Sequence, residues 1–185
     1  MYATVAQLAH RLQLDVDDLT EDDTAALTEL LEDAGQVIDD EVGQPLLRST
    51  DTVTLDGSGA ASLILPRWPV HAVDEVTLIA VDGTETALAH REGYLWSTSG
   101  VLTRLGGCWP AHDRAVRVLY TPGYEEAELG SRVRRICLRL AVAGRRNPGG
   151  ADSEDIADTR VRWHTPGMEL TTAEKATLAK YASRP

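Results

Sequence analysis

The hydrophobic period of this chain changes twice, and that change constrains the fold more than any composition figure. In residues 3 to 14, ATVAQLAHRLQL, Val5, Leu8, Ala9 and Leu12 recur at helical spacing, with Thr4 placed to cap. After the acidic connector DVDDL, Thr20 and Asp23 form a capping-box pattern, and Glu21, Asp22 and Asp23 suit the positive end of a helix. The spacing predicts that helix over 21 to 42, with Leu27, Leu30, Leu31, Ala34, Val37 and Ile38 as its core stripe. From GQPLLRS the period falls to two. DTVTLDG, AASLILP, VDEVTLIAVDG, YLWSTSGVLTRL and AVRVLYTPGY lie between turn signals and read as short strands joined in antiparallel hairpins. Helical spacing returns over 128 to 146 and stops at NPGG. The stretch ADSEDIADTRVRWHTPG has no sustained period and predicts an extended arm. LTTAEKATLAKY then closes the chain with a Thr171 to Glu174 capping box.

These periods predict an α+β subunit. A small helical bundle is built from residues 1–47 and 124–149, an antiparallel β-rich insertion occupies 48–123, and a C-terminal arm ending in a short helix occupies 150–185. Trp68, between Pro66 and Pro69, and Trp109 read as closing corners of the β region rather than as anchors for a partner.

Charge bears on what such a chain can bind. With 29 acidic against 18 basic residues the formal net charge is -11, and the average field opposes adhesion to DNA or to anionic membranes. No apolar run approaches the roughly 18 residues needed to span a bilayer, and MYATVAQLAHRLQLDVDD lacks the cationic start and apolar stretch of a signal peptide. Cys108 and Cys137 are too few for a disulfide framework or a four-ligand zinc site, and suit two reduced thiols in the cytoplasm.

Motifs for chemistry are missing as well. His10, His71, His90, His112 and His164 form no helical metal pair, and GSG at 57 to 59 lacks the lysine and helix of a phosphate loop. No serine nucleophile elbow is present. No catalytic, cofactor-binding or metal-ligating residue is assigned, and the expectation is a protein that is not an enzyme and needs no cofactor.

The stretch SRVRRICLRLAVAGRRNPGG concentrates six arginines. Stepping about 100° per residue places Val133, Ile136, Cys137, Leu140, Ala143 and Gly144 on a core face. Arg132, Arg135, Arg139 and Arg146 fall within about 60° of one another on one flank, with Leu138 and Val142 on the expected solvent face between the flanks. Apolar residues framed by arginines resemble the centre and rim of a protein contact, whereas a DNA-reading helix would carry polar base-reading side chains there. On the second helix, Asp22, Glu29, Asp33 and Asp40 project in one line. Two readings stand for these rows: solvated or internally paired charges, or a head-to-tail contact between identical subunits, with Leu138 and Val142 at its dry centre.

The order of TVAQLAHRL, AGQVIDDEVGQPL, LPRWPVHAVDEVTL, GCWP, VRVLYTPGY, RRNPGG and LTTAEKATLAKY resembles the head-to-tail connector (adaptor) proteins of long-tailed bacteriophages across nearly the whole chain. The resemblance implies a structural virion protein that forms a ring, typically of twelve copies, between the portal protein and the next neck or tail component. It implies assembly in the host cytoplasm, a place at the head-tail junction, and genomic DNA passing through the lumen without specific binding. By the same resemblance the arm with Trp163 and the final helix with Leu178 and Tyr181 are candidates for the portal contact. The β-rich region departs from the shortest members of that family. The alternatives are a neighbouring neck or tail-completion protein, or a DNA-binding regulatory domain using 131–146.

Overall fold

Thr4, Thr20 and Thr171 each open a helix in the same way. The threonine hydroxyl accepts the backbone N–H three residues on, and the side chain of Gln7, Asp23 or Glu174 accepts the N–H of the capping residue. Two donors that a helix start leaves unpaired are thereby satisfied at each site. The computed structural model of the chain describes residues 1–147, 153–156, 159–162 and 167–182.

In chain order the elements are α1 (Val5–Leu12), α2 (Glu21–Val42), β1 (Asp51–Leu55), β2 (Ser62–Ile64), β3 (Val70–Ile79), β4 (Glu85–Leu88) and β5 (Tyr94–Trp96). They continue with β6 (Val101–Arg104), β7 (Val116–Pro122), α3 (Glu126–Arg146), β8 (Ser153–Ile156), β9 (Thr159–Arg162) and α4 (Thr172–Leu178), which runs into a 3-10 turn, Ala179–Tyr181. Two compact units result, one from Met1–Gln44 with Glu126–Ala182, the other from Pro45–Glu125.

In the helical unit, α2 buries Leu27, Leu31, Ala34, Gly35, Ile38 and Val42, while Leu30 and Val37 lie half-buried at the edges of that stripe. Gly35 admits the ring of Tyr2, which would lie 3.6 Å from a Cβ at that position, and the Tyr2 hydroxyl donates to Asp39. α3 packs against α1, α2 and α4. No described helix is long and apolar enough to cross a membrane.

The arm differs from the sequence expectation. β8 and β9 pair antiparallel, with Ser153 opposite Arg162 and Ile156 opposite Thr159. Strands of four residues sit at the lower limit at which alternation can be recognised in a sequence.

In the β unit, β7 is central: its burial alternates strictly from Val116 to Pro122, and it pairs antiparallel with β1 on one side and β3 on the other. The four-stranded sheet has the order β1-β7-β3-β4, and a three-stranded sheet has the order β2-β6-β5. Leu63, Tyr94 and Leu102 of the smaller sheet join Val70, Val76, Val116, Val118 and Tyr120 of the larger in a single core cluster, with Trp109 and Ala115.

Only part of the expected hairpin chain forms. β3 and β4 do turn at Asp82-Gly83, where the Gly83 N–H donates to the Ala80 carbonyl at 2.9 Å. β1 and β2, also separated by an Asp-Gly pair, enter different sheets. Asp56 instead accepts the Arg114 backbone N–H at 2.7 Å, and the Gly57 N–H donates to the His112 carbonyl at 2.8 Å. The same dipeptide thus joins neighbours in one place and ties a distant loop in the other. Trp68 makes an edge-to-face contact with Tyr124 at 6.3 Å, and Trp109 is buried beneath the Arg104 guanidinium.

Candidate functional site

α3 carries most of the candidate residues, and it is broken near its start. Gly130 holds φ 71° and ψ 170°, which separates a turn at 126–129 from the arginine-bearing helix. Val133, Ile136, Cys137, Leu138, Leu140, Ala141 and Gly144 are buried, and at about 100° per residue the arc from Ile136 to Leu138 spans about 200° of the circumference. Leu138 therefore corrects the sequence reading. It is 6% exposed and belongs to the subunit's own interior, because α3 has helices on several sides rather than one. Val142 stays half-buried at the edge of that arc. Burial pushes the Cys137 thiol up to about 11, and its Sγ points to the Leu31 carbonyl at 3.9 Å, as befits a core thiol; Cys108 is exposed.

The expected portal residues need a second correction. Leu178 is fully buried and Tyr181 nearly so: the Tyr181 hydroxyl donates to the Leu129 carbonyl at 3.1 Å, and Gln44 donates to the Tyr181 carbonyl at 2.9 Å. The final helix is docked into its own unit by apolar burial that the short LTTAEKATLAKY pattern could not distinguish from an exposed binding stripe. Trp163 lies outside the described residues.

The arginines divide by partner. Arg134 pairs with Glu126 at 3.4 Å. Arg139 donates through Nε to Glu174 Oε1 at 2.6 Å, and through its terminal nitrogen to Glu174 Oε2 and to the Glu169 carbonyl, both at 2.8 Å. Glu174 also accepts the Thr171 N–H and hydroxyl, each at 2.9 Å. Burial alone would raise its carboxyl, but hydrogen bonds from the Thr171 backbone, Arg139 and the Thr171 hydroxyl outweigh it, and the group sits below its ordinary value. Arg132, Arg135 and Arg146 are exposed and form no ion pair among the described residues.

Arg132, Arg135 and Arg139 meet Arg11 of α1 around a cleft of about 380 Å³, with Ile136, Ala173, Glu174 and Thr177 completing its walls. Arg11 was not legible as part of a site. A single arginine on the polar face of a short helix carries no periodic signal, and only the packing of α1 on α3 brings it there.

On α2, Asp22, Glu29, Asp33 and Asp40 are all exposed. Asp40 accepts from Gln36 at 2.7 Å; the other three have no hydrogen bond or ion pair among the described residues. Neighbouring acids are engaged within the unit: Asp39 by Tyr2, Asp23 by Thr20, and Glu41 by Lys175 at 3.0 Å. The arginine flank and the acidic row do not meet within the subunit. Among the described residues no cluster of three or more His, Cys, Asp or Glu side chains is arranged to hold a metal ion.

No family model and no curated relative matches the sequence. Solved structures do share its fold. A chain from the neck of an empty GTA particle, computed with C6 symmetry, superposes with a TM-score of 0.68 at 19% identity, covering 98% of this chain and 89% of that one. The chain has the fold of a GTA neck chain. The neck of the native particle, computed with C12 symmetry, gives a TM-score of 0.64 at 19% identity over 98% and 88% of the two chains. A chain in the virion of the native gene transfer agent gives 0.67 at 20% identity over 98% and 89%.

Proposed function

We propose that this chain is a structural subunit of the neck of a phage-like particle, placed at the head-tail junction between the portal and the next neck or tail component. Copies assemble into a ring of twelve, and the ring forms part of the channel through which the genome passes. The observation that carries this reading is the fold shared over 98% of the chain with neck chains of particles computed with C6 and C12 symmetry. The charge balance supports it physically. A channel subunit with a net charge of -11 does not neutralise phosphates in bulk, and each phosphate contact avoided leaves DNA freer to move. The role is architectural and calls for no cofactor.

A duplex-gripping role for residues 131–146 is the less favoured reading, because Arg134 and Arg139 are engaged by Glu126 and Glu174 and the chain carries a net charge of -11. The test is electron microscopy of the full-length chain mixed with its portal. A ring with twelvefold symmetry added to the portal is the expected image; a monodisperse chain that never decorates the portal would overturn the reading.

A further inference from the structure

The helical unit leaves two sets of opposite charge without partners, and they lie on different elements. Arg11, Arg132 and Arg135 stand exposed, with no ion pair among the described residues, around one cleft whose carboxylate, Glu174, is already engaged by Arg139, in a chain whose excess charge is negative. Like charges gathered in one cleft repel each other, and an anion relieves that cost. Asp22, Glu29 and Asp33 are equally exposed and equally unpaired on α2, which contributes nothing to the cleft.

We propose that the arginine cleft of one copy receives the carboxylate row of α2 from a second copy. This rests on the neck-ring reading and names the contact that builds the ring. At 1.5 Å rise per residue, the unpaired acids Asp22 to Asp33 span about 16.5 Å and the cleft arginines of α3, Arg132 to Arg139, about 10.5 Å. Glu29 and Asp33 are about 6 Å apart along their helix, and Arg132 and Arg135 about 4.5 Å apart along theirs, within the reach of an arginine side chain. Ile136 and Ala173 supply apolar wall to the cleft, while Arg139, held by Glu174, positions the rim. Because the two surfaces share no residue, each copy can give one and accept the other, a heterologous contact that closes into a ring when the rotation per copy allows. With Leu138 withdrawn into the core, charge complementarity rather than an apolar centre sets the register.

The test is sedimentation velocity of the full-length chain over a concentration series at about 0.15 M salt, where exposed charges more than about 8 Å apart are screened. Wild type is expected to self-associate. Arg132→Glu with Arg135→Glu should weaken association by about tenfold or more, the size of effect that close interfacial charge pairs carry. Adding Glu29→Arg and Asp33→Arg to that double variant should restore it, while Arg114→Glu, an exposed charge of the β unit, should leave it unchanged. Circular dichroism melts confirm that each variant is folded.

A wild-type chain that stays monomeric at every concentration overturns the proposal, and so does a cleft variant that associates like wild type. Failure of the charge swap to restore association in a folded protein also overturns it, since the acidic row is then not the occupant. If the chain instead binds a short random-sequence DNA duplex through the same arginines while remaining monomeric, the cleft is a phosphate site and the proposal falls. None of these results decides the neck reading, which stands or falls on portal decoration.

Discussion

Glu174 concentrates three tasks in one carboxylate. It closes the capping box of α4 through Thr171, holds Arg139 at two points, and so fixes one wall of the arginine cleft. Its folded-state carboxyl lies below the ordinary glutamate value. The stabilisation it contributes is therefore complete above an unfolded value of about 4.3 and is lost as pH falls through the lower folded one. Glu174→Gln is expected to destabilise the chain by about 1–3 kcal/mol at neutral pH, the cost of leaving charged, part-buried donors short of their acceptor. In urea unfolding, the gap between variant and wild type should shrink as the pH is taken down through the acid range. A gap that stayed constant with pH would show that the ionised form contributes nothing. That Glu174 caps a helix was readable from the spacing Thr171 to Glu174; that it also holds Arg139 was not, because the two are 35 residues apart in the chain.

At the level of elements, α3 shows how one residue sets where a helix begins. With φ 71° and ψ 170°, Gly130 occupies a region that side-chain-bearing residues scarcely enter, and a Cβ built there meets no atom within 4 Å. Any penalty for a larger residue is thus backbone strain alone. Gly130→Ala is expected to lower stability by about 1–3 kcal/mol by thermal or urea unfolding. An unchanged midpoint would mean that the turn at 126–129 can rejoin the helix freely. Helices 21 to 42 and 128 to 146 were legible because a 3.6-residue stripe repeated over several turns cannot be mistaken for alternation. The strands were legible as strands, yet their partners were not. β1 pairs with β7, across the whole β unit in sequence, and the choice between a local hairpin at Asp56-Gly57 and that distant pairing depends on which apolar faces share the core.

For the whole molecule the governing quantity is net charge. At -11 the chains repel one another at long range. Turbidity is expected to peak near pH 4.8, where the net charge of the sequence passes through zero. A protein that stays clear through that range would show that exposed charge is not what keeps it dispersed. Helix placement, capping, the α+β class and the net charge follow from the sequence by itself, because each depends on neighbours within a few residues or on totals. The fate of Leu138, Leu178 and Tyr181 was decided only by tertiary structure: an apolar residue on a helix is equally ready for its own core or for a partner, and what covers it comes from elsewhere in the chain. The arginine cleft has the same origin, since Arg11 reaches Arg132 and Arg135 through the packing of α1 on α3 and through nothing that sequence spacing records.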